Sequence, residues 1–305
     1  MFTTPEVLIN LFADSILYVL LLLAFLASVQ IVLHFDPRAD TPLQYRLQKR
    51  SYLVATLIFF ALLLKILLFF YFIYTLDHLS NIIPGAMCAA GVVTANEYGV
   101  WLVLVKLLNL YLFSFWLLLH RKDEARSDYE LTKKKFAFFV FIFLMITLEF
   151  MLEWLYFAAL DVGKIVSCCG VLFNPVASSS LFGSLLLIPY QVIVGLFYAF
   201  FVLFFFVRGL LFRLLHLLWI PLSILAIITF FSPYIYELPT HRCPFCMLQS
   251  GYGYIGYFIY TALFLGTFFG MAGQKRRALL FDSLAVGILT FYVVSYWVKN
   301  GVWLF

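Results

Sequence analysis

The sequence predicts an all-α fold, a polytopic membrane helix bundle that forms a single integral membrane domain over residues 1–305. Of these residues 65% are hydrophobic and 11% charged, and the mean hydropathy is +1.04. Soluble globular domains are about half apolar and about a quarter charged. The apolar runs are about 20 residues long, which suits a helix that crosses the hydrocarbon core, and they lack the alternation of a transmembrane barrel. Helices therefore satisfy the backbone hydrogen bonds of these segments within a bilayer.

The apolar segments predict about eight transmembrane helices. The connections after the first, third, fifth and seventh segments carry fifteen of the 20 lysine and arginine residues. Because short cytoplasmic loops are enriched in these residues, the pattern predicts that both termini lie on the extracytoplasmic side. The predicted helices are 7–34, 51–76, 99–120, 136–160, 184–207, 214–236, 253–273 and 279–298.

The net charge of +5 does not indicate a nucleic-acid partner, because the basic residues cluster in short connections between apolar segments. The lipid bilayer is the partner that the composition predicts. The first apolar segment follows no basic stretch and precedes no small-residue cleavage site, so we expect no removable signal peptide. The protein is predicted to be a multi-pass component of a bacterial inner membrane.

All five cysteines lie in connections that the charge pattern assigns to the outer side, here the periplasm, where disulfides form and persist. The segment 87–93 (MCAAGVV) aligns with 166–172 (VSCCGVL), which suggests a weak two-helix repeat around 51–120 and 136–207. We expect the three cysteine-bearing connections to fold over one another. Their cysteines are Cys88, the adjacent pair Cys168 and Cys169, and the pair Cys243 and Cys246.

The pair Cys243 and Cys246 belongs to a Cys-Pro-Phe-Cys tetrapeptide between two long apolar segments. Proline suits the first turn of a helix, which predicts that Cys243 lies near a helix N-terminus. The helix dipole and the neighbouring Arg242 would both favour the thiolate, which is the nucleophilic form of the sulfur. Cys243 is therefore the predicted nucleophile and Cys246 the resolving thiol, which exchange with Cys88, Cys168 or Cys169.

The tetrapeptide 243–246 resembles the active-site motif of thioredoxin-like proteins, especially glutaredoxins, although membrane segments bracket it here. Its place at the outer end of a helical bundle is similar in layout to the membrane disulfide-generating proteins of the DsbB and vitamin K epoxide reductase type. That resemblance implies one cysteine pair facing a quinone and another pair that passes oxidation to a partner. Eight predicted helices instead of about four, and an adjacent cysteine pair, depart from both families.

Soft-metal binding is an alternative use of the same cysteines. Cysteine and methionine are ligands for Cu(I), and together with histidine they also suit zinc. The cysteine connections contain further side chains of this kind, so a copper-type ion is a candidate cofactor beside a quinone. The full candidate ligand set is Met87, Cys88, Cys168, Cys169, His241, Cys243, Cys246 and Met247.

Ionisable residues inside the apolar segments are a second candidate site, because charged groups are rare in hydrocarbon and often functional. Counted from the outer ends of the segments at about 1.5 Å per residue, their depths agree. Two carboxylates lie one helical turn apart, so a cation between them is expected. This predicted proton or ion-pair layer consists of Asp14, Lys65, Lys106, Glu149 and Glu153.

The three histidines near the cytoplasmic ends of helices, His34, His120 and His216, are typical of interfacial side chains. The sequence therefore leaves three functional hypotheses. The first is thiol-disulfide redox exchange coupled to a quinone or an extracytoplasmic redox partner, which would make the protein a membrane oxidoreductase. The second is soft-metal binding for delivery to a metal-receiving protein or for metalloenzyme maturation. The third is a structural membrane subunit whose disulfides are staples.

Overall fold

The computed structural model describes residues 4–36, 41–126, 130–166 and 188–305, without the side chain of Glu130. Within these ranges the secondary structure is helical, and no described residue lies in a strand. This confirms the all-α prediction. Ten α-helices are described, with a π-helical segment, Ile227–Phe231, between α7 and α8. They are α1 Pro5–His34, α2 Pro42–Leu79, α3 Ala89–Val93, α4 Glu97–Glu124, α5 Glu130–Ala158, α6 Tyr190–Phe206, α7 Gly209–Ala226, α8 Ser232–Tyr236, α9 Ile255–Met271 and α10 Lys275–Asn300.

Six helical segments are long and apolar enough to cross a membrane, and one of them is the continuous stretch Gly209–Tyr236. The helices α6 and α9 are apolar too, and each has 17 residues, close to the lower limit for a span. Large apolar side chains cover the outer faces, and Phe206, for example, is 78% exposed. The protein is thus an integral membrane protein with a helical bundle, while the number of spans and the location of the termini stay predictions.

Helix α2 begins nine residues before the predicted start at Ser51. Thr41 accepts a hydrogen bond from the amide of Gln44, and Pro42 occupies the first helical turn. Both features favour helix initiation at this point. The early start was missed because these first turns are polar and carry no apolar run.

The chain divides into two compact units. Unit 1 comprises Met1–Ile82 and Val93–Lys164, and its helices α1, α2, α4 and α5 form a closed ring in which each helix packs on two others. Its apolar core includes Trp116 and several phenylalanines. The predicted single domain is not tested by this division and stays a prediction.

Unit 2 comprises Ile83–Val92 and Ile165–Phe305. In this unit α9 packs on α7 and α10, and α6 packs on α7. Cys88, Cys243 and Cys246 all belong to its buried core, so the apolar packing of one unit positions three sulfur atoms.

The π-helical segment Ile227–Phe231 lies just before Pro233. Proline cannot donate an amide hydrogen bond and its ring clashes with the carbonyl four residues earlier, so a widened turn accommodates it. The helix then continues to Tyr236 and ends at Glu237, which has a left-handed φ of 54°. The amide of Leu238 donates to the Pro233 carbonyl at 3.0 Å and closes the helix end. Tyr236 is thereby fixed beside the loop that carries Cys243.

Candidate thiol centre and buried polar layer

Three cysteine sulfurs converge in unit 2. The Sγ atoms of Cys88, Cys243 and Cys246 all lie within 4.8 Å of one another. Those of Cys88 and Cys243 are 3.4 Å apart, although 155 residues separate them in the sequence. We call this set the thiol centre. The predicted convergence of two cysteine-bearing connections is therefore observed, whereas Cys168 and Cys169 lie outside the described residues.

The segment 83–92 positions Cys88. Gly85 has a φ of +84°, and a Cβ atom at this position would lie 2.5 Å from the Val166 carbonyl oxygen, so only glycine fits. The amide of Val166 donates to the Pro84 carbonyl at 3.0 Å. Cys88 then precedes the short helix α3 and is fully buried. The backbone hydrogen bond between Val166 and Pro84 therefore holds the turn before Cys88 and fixes the position of its sulfur.

A tyrosine hydroxyl shapes the loop that carries Cys243. The Tyr236 hydroxyl donates to the Cys243 carbonyl at 2.5 Å and accepts from the Met247 amide at 2.9 Å. That amide and carbonyl are four residues apart and would bond directly in an α-helix. The inserted hydroxyl replaces this bond, and only the three-residue 3-10 turn Cys246–Leu248 forms. The expected helix N-terminus at Cys243 is therefore wrong.

The thiol centre has polar neighbours within the same loop. The Phe245 amide donates to Cys243 Sγ at 3.4 Å, and His241 Nε2 lies 3.2 Å from Cys246 Sγ. The Tyr260 hydroxyl donates to the Pro244 carbonyl at 2.6 Å and holds the tetrapeptide from helix α9. Such neighbours can stabilise negative charge on sulfur and orient it.

Two residues with a left-handed backbone conformation lie at the ends of this loop. Glu237 has a φ of 54° and Tyr254 a φ of 56°, and they are the two described non-glycine residues with positive φ. Such conformations are uncommon outside glycine and occur preferentially at functional sites. The Gln249 side-chain amide donates to the Met87 carbonyl at 3.2 Å, which connects the loop to the segment of Cys88.

Burial limits what the thiol centre can do. Cys88 is 0%, Cys243 1% and Cys246 4% exposed. The 3.4 Å between the Sγ atoms of Cys88 and Cys243 exceeds the roughly 2.05 Å of a disulfide bond. It is comparable with the distance of roughly 3.8 Å between two sulfurs on one tetrahedral zinc ion, where each Zn–S bond is about 2.3 Å. The arrangement can hold a thiophilic ion among the sulfurs, or pass oxidation from one sulfur to the next.

The remaining candidate ligands are placed differently. Met87 is 69% exposed. Met247 is fully buried, with its side chain against Gly256 of helix α9, where an added Cβ would lie 2.6 Å from Met247 Cγ. Burial raises the pKa of Tyr252, whose ring packs at a tilt of 58° against that of Tyr236, so this phenol stays neutral in the loop of the thiol centre. The structure thus groups the three cysteines with His241 and with the tyrosines of the loop.

The five predicted intramembrane charges meet in unit 1. Lys65 donates to Asp14 Oδ1 at 2.5 Å and to Glu149 Oε1 at 2.9 Å. Lys106 donates to Glu149 Oε1 at 2.9 Å and to Glu153 Oε2 at 2.6 Å. All five side chains are at most 4% exposed. The two lysines lie between the carboxylates, as the carboxylate spacing predicted.

Two asparagines complete this polar layer. The Asn10 side-chain amide donates to Glu153 Oε1, and that of Asn109 donates to Glu149 Oε2. Asn10 is one turn before Asp14 on α1, and both asparagines are fully buried. Neither asparagine was among the predicted site residues, although their one-turn spacing from Asp14 and Lys106 was a usable signal.

The interfacial assignment of His216 is wrong, because His216 is fully buried and paired with the fully buried Asp282 at 3.1 Å. His216 Nδ1 donates to the Phe212 carbonyl at 2.7 Å. Helix α9 leaves room for this pair through two glycines: a Cβ on Gly266 would lie 2.1 Å from Asp282 Oδ1, and one on Gly270 would lie 2.0 Å from the His216 ring. Two small residues four apart on an apolar helix were the signal for this close approach.

Comparisons with protein-family models, with curated proteins and with solved structures give no match for this chain.

Proposed function

We propose that this integral membrane protein binds a thiophilic metal ion of the Cu(I) class at the thiol centre formed by Cys88, Cys243 and Cys246. The observation that carries the proposal is the convergence of three buried sulfurs within 4.8 Å of one another. Soft thiolate ligands select Cu(I) and zinc. Ion binding would displace thiol protons, and the +1 charge of Cu(I) would offset one of the three thiolate charges, while the Phe245 amide and the His241 ring face the sulfurs of Cys243 and Cys246.

The surroundings of the sulfurs support this proposal. The backbone amide of Phe245 and the ring of His241 are placed to stabilise two of the three sulfurs as thiolates. The left-handed residues Glu237 and Tyr254, together with the Tyr236 bridge, hold the loop in one conformation. A pre-arranged ligand set loses little conformational entropy when the ion binds.

Thiol-disulfide exchange is the second candidate, and the 3.4 Å separation of Cys88 and Cys243 favours it. In that reaction the two thiols lose two protons and two electrons and form one disulfide, and a quinone or a partner disulfide accepts the electrons. Direct attack on a partner protein requires an accessible sulfur, whereas all three sulfurs belong to residues no more than 4% exposed. Burial therefore favours metal binding over exchange with a protein partner.

The positive-inside pattern supports an extracytoplasmic thiol centre, on the periplasmic side of a bacterial inner membrane. The connections of Cys88 and of Cys243 both fall on the side with few lysines and arginines. A metal held there would be available for delivery to a metal-receiving protein or for metalloenzyme maturation outside the cytoplasm.

The test is a Cu(I) titration of the purified, reduced full-length protein under anaerobic conditions, in competition with a coloured Cu(I) chelator. We expect one ion per chain and at least a tenfold loss of affinity in each of Cys88→Ser, Cys243→Ser and Cys246→Ser. Met87→Leu is the matched control, because Met87 is exposed and is expected to leave the affinity unchanged.

Unchanged affinity in the three serine variants would refute the metal proposal. Quinone-dependent loss of two thiols from metal-free protein, with a Cys88–Cys243 link found by peptide mapping, would instead support redox exchange. A disulfide that forms regardless of redox conditions, without metal binding, would support the structural staple.

A further inference from the structure

The polar layer of unit 1 contains an odd number of formal charges. The three carboxylates Asp14, Glu149 and Glu153 face the two ammonium groups of Lys65 and Lys106. With all five ionised, the layer has a net charge of −1 within a bundle of apolar helices. An uncompensated charge in such surroundings is strongly unfavourable, so one more positive charge is required.

Buried acceptors without a partner give independent evidence for a missing donor. Asn10 Oδ1, Asp14 Oδ2 and Asn109 Oδ1 are buried, and none has a hydrogen-bond partner within the described ranges. Each belongs to a side chain at most 1% exposed. All three are oxygens, whereas a layer short of acceptors would leave N–H groups unpaired. Buried polar atoms normally find a partner, so these oxygens point to an additional donor or cation.

The lysines argue against a metal ion as that cation. A small cavity with room for about one water molecule is lined by Lys65, Lys106 and Glu149, together with apolar side chains. The ammonium groups of Lys65 and Lys106 contact all three carboxylates at 2.5 to 2.9 Å, so they would repel a sodium ion that bound the same carboxylates. A proton, in contrast, can reside on a carboxylate oxygen that accepts from neither lysine, such as Asp14 Oδ2.

We propose that the polar layer is a binding site for one exchangeable proton, held by Asp14 and Glu153 jointly. The number of donors decides which carboxylates share it. Glu149 accepts from Lys65, Lys106 and Asn109, so its ionised form is the best stabilised. Glu153 accepts from Lys106 and Asn10, and Asp14 accepts only from Lys65 among the described residues.

All four helices of unit 1 contribute to this environment. Helix α1 supplies Asp14, α2 supplies Lys65, α4 supplies Lys106, and α5 supplies Glu149 and Glu153. In the binding step a hydronium ion of the solvent breaks one O–H bond and passes its proton to a carboxylate, which forms one O–H bond. A water molecule is left, and the layer changes from −1 to neutral. The proposal does not depend on the thiol centre, which belongs to the other unit.

The test is infrared spectroscopy of the full-length protein near neutral pH, where a protonated carboxyl group gives its own carbonyl stretching band. We expect this band in the wild type and its loss in both Asp14→Asn and Glu153→Gln. Either substitution leaves two carboxylates and two ammonium groups, which balance without a proton. Glu237→Gln is the control, because Glu237 is exposed and paired with Lys299 at 2.7 Å.

Stability against pH gives a second readout that does not require the variants to fold equally well. The folded wild type would hold a proton that the unfolded chain releases, so its unfolding equilibrium constant should rise by up to about tenfold per pH unit between the ordinary carboxyl pKa of about 4 and the pH at which the folded protein releases the proton. Asp14→Asn should show a flatter dependence. A carboxyl band that survives in both variants would overturn the proposal. So would sodium-dependent stabilisation of the wild type that is absent in Asp14→Asn.

Discussion

Replacement of Lys106 by methionine tests the electrostatic account of unit 1. Lys106 is 4% exposed, donates to two carboxylates at 2.9 and 2.6 Å, and its Nζ lies 4.6 Å from the centre of the Phe72 ring. Methionine keeps most of the volume but removes the charge, which leaves Glu149 and Glu153 without their shared cation. Removal of one partner from a buried ion pair destabilises a protein by about 3 to 5 kcal/mol.

The assay is denaturant-induced unfolding of the detergent-solubilised full-length chain. Lys299→Met is the matched control. Lys299 also pairs with a glutamate, at 2.7 Å, but its side chain is 63% exposed, so the free energy of unfolding should fall by only about 0 to 1 kcal/mol. The double variant Lys106→Met/Glu153→Gln has the net charge of the wild type and should recover most of the lost stability. Equal losses for Lys106→Met and Lys299→Met, or no recovery in the double variant, would refute the reasoning.

Three further predictions concern unit 2. Tyr236→Phe removes the hydroxyl that bridges the backbone of Cys243 and Met247. The two backbone groups left unpaired should weaken Cu(I) binding by about 2 kcal/mol, or about 30-fold. The control Tyr198→Phe loses a 2.9 Å hydrogen bond to Thr290 and should leave the Cu(I) affinity unchanged. Equal affinities in the two variants would contradict the role of the bridge. Gly270→Ala places a Cβ 2.0 Å from the His216 ring and should destabilise the protein by about 1 to 3 kcal/mol, while Gly195→Ala, with nothing within 4 Å, should stabilise it by about 0.5 to 1 kcal/mol. A neutral Gly270→Ala would show that the histidine pair does not pack as described. Removal of bound Cu(I) by a chelator should lower Tm, because an ion present at 100 times its Kd stabilises the folded state by about 2.7 kcal/mol. An unchanged Tm would show that Cu(I) does not bind preferentially to the folded protein.

Helix positions and the shared depth of the charges could be predicted because both follow from hydrophobic length. The runs around α1, α4 and α5 exceed the bilayer thickness, so the segment ends define a common depth scale. On that scale Lys65, Lys106 and Glu149 occupy similar levels, and the structure places them in contact. The proximity of Cys88 and Cys243 followed in the same way, from their assignment to one side of the membrane.

The local geometry of the thiol loop could not be predicted. The motif suggested a helix at Cys243, but the position of the Tyr236 hydroxyl depends on the π-helical turn before Pro233 and on packing in unit 2. His216 was assigned to the interface because it lies near the predicted cytoplasmic end of a helix. Its burial depends on Asp282 and on two glycines of α9, residues that are distant in sequence and meet only through tertiary packing.

The most direct test of the thiol centre is X-ray absorption spectroscopy at the copper edge of the Cu(I)-loaded full-length protein. The account predicts a first shell of sulfur at about 2.2 to 2.3 Å with about three scatterers, and a loss of one scatterer in Cys88→Ser. A first shell of nitrogen or oxygen, or a sulfur shell unchanged by Cys88→Ser, would contradict a site shared by Cys88, Cys243 and Cys246.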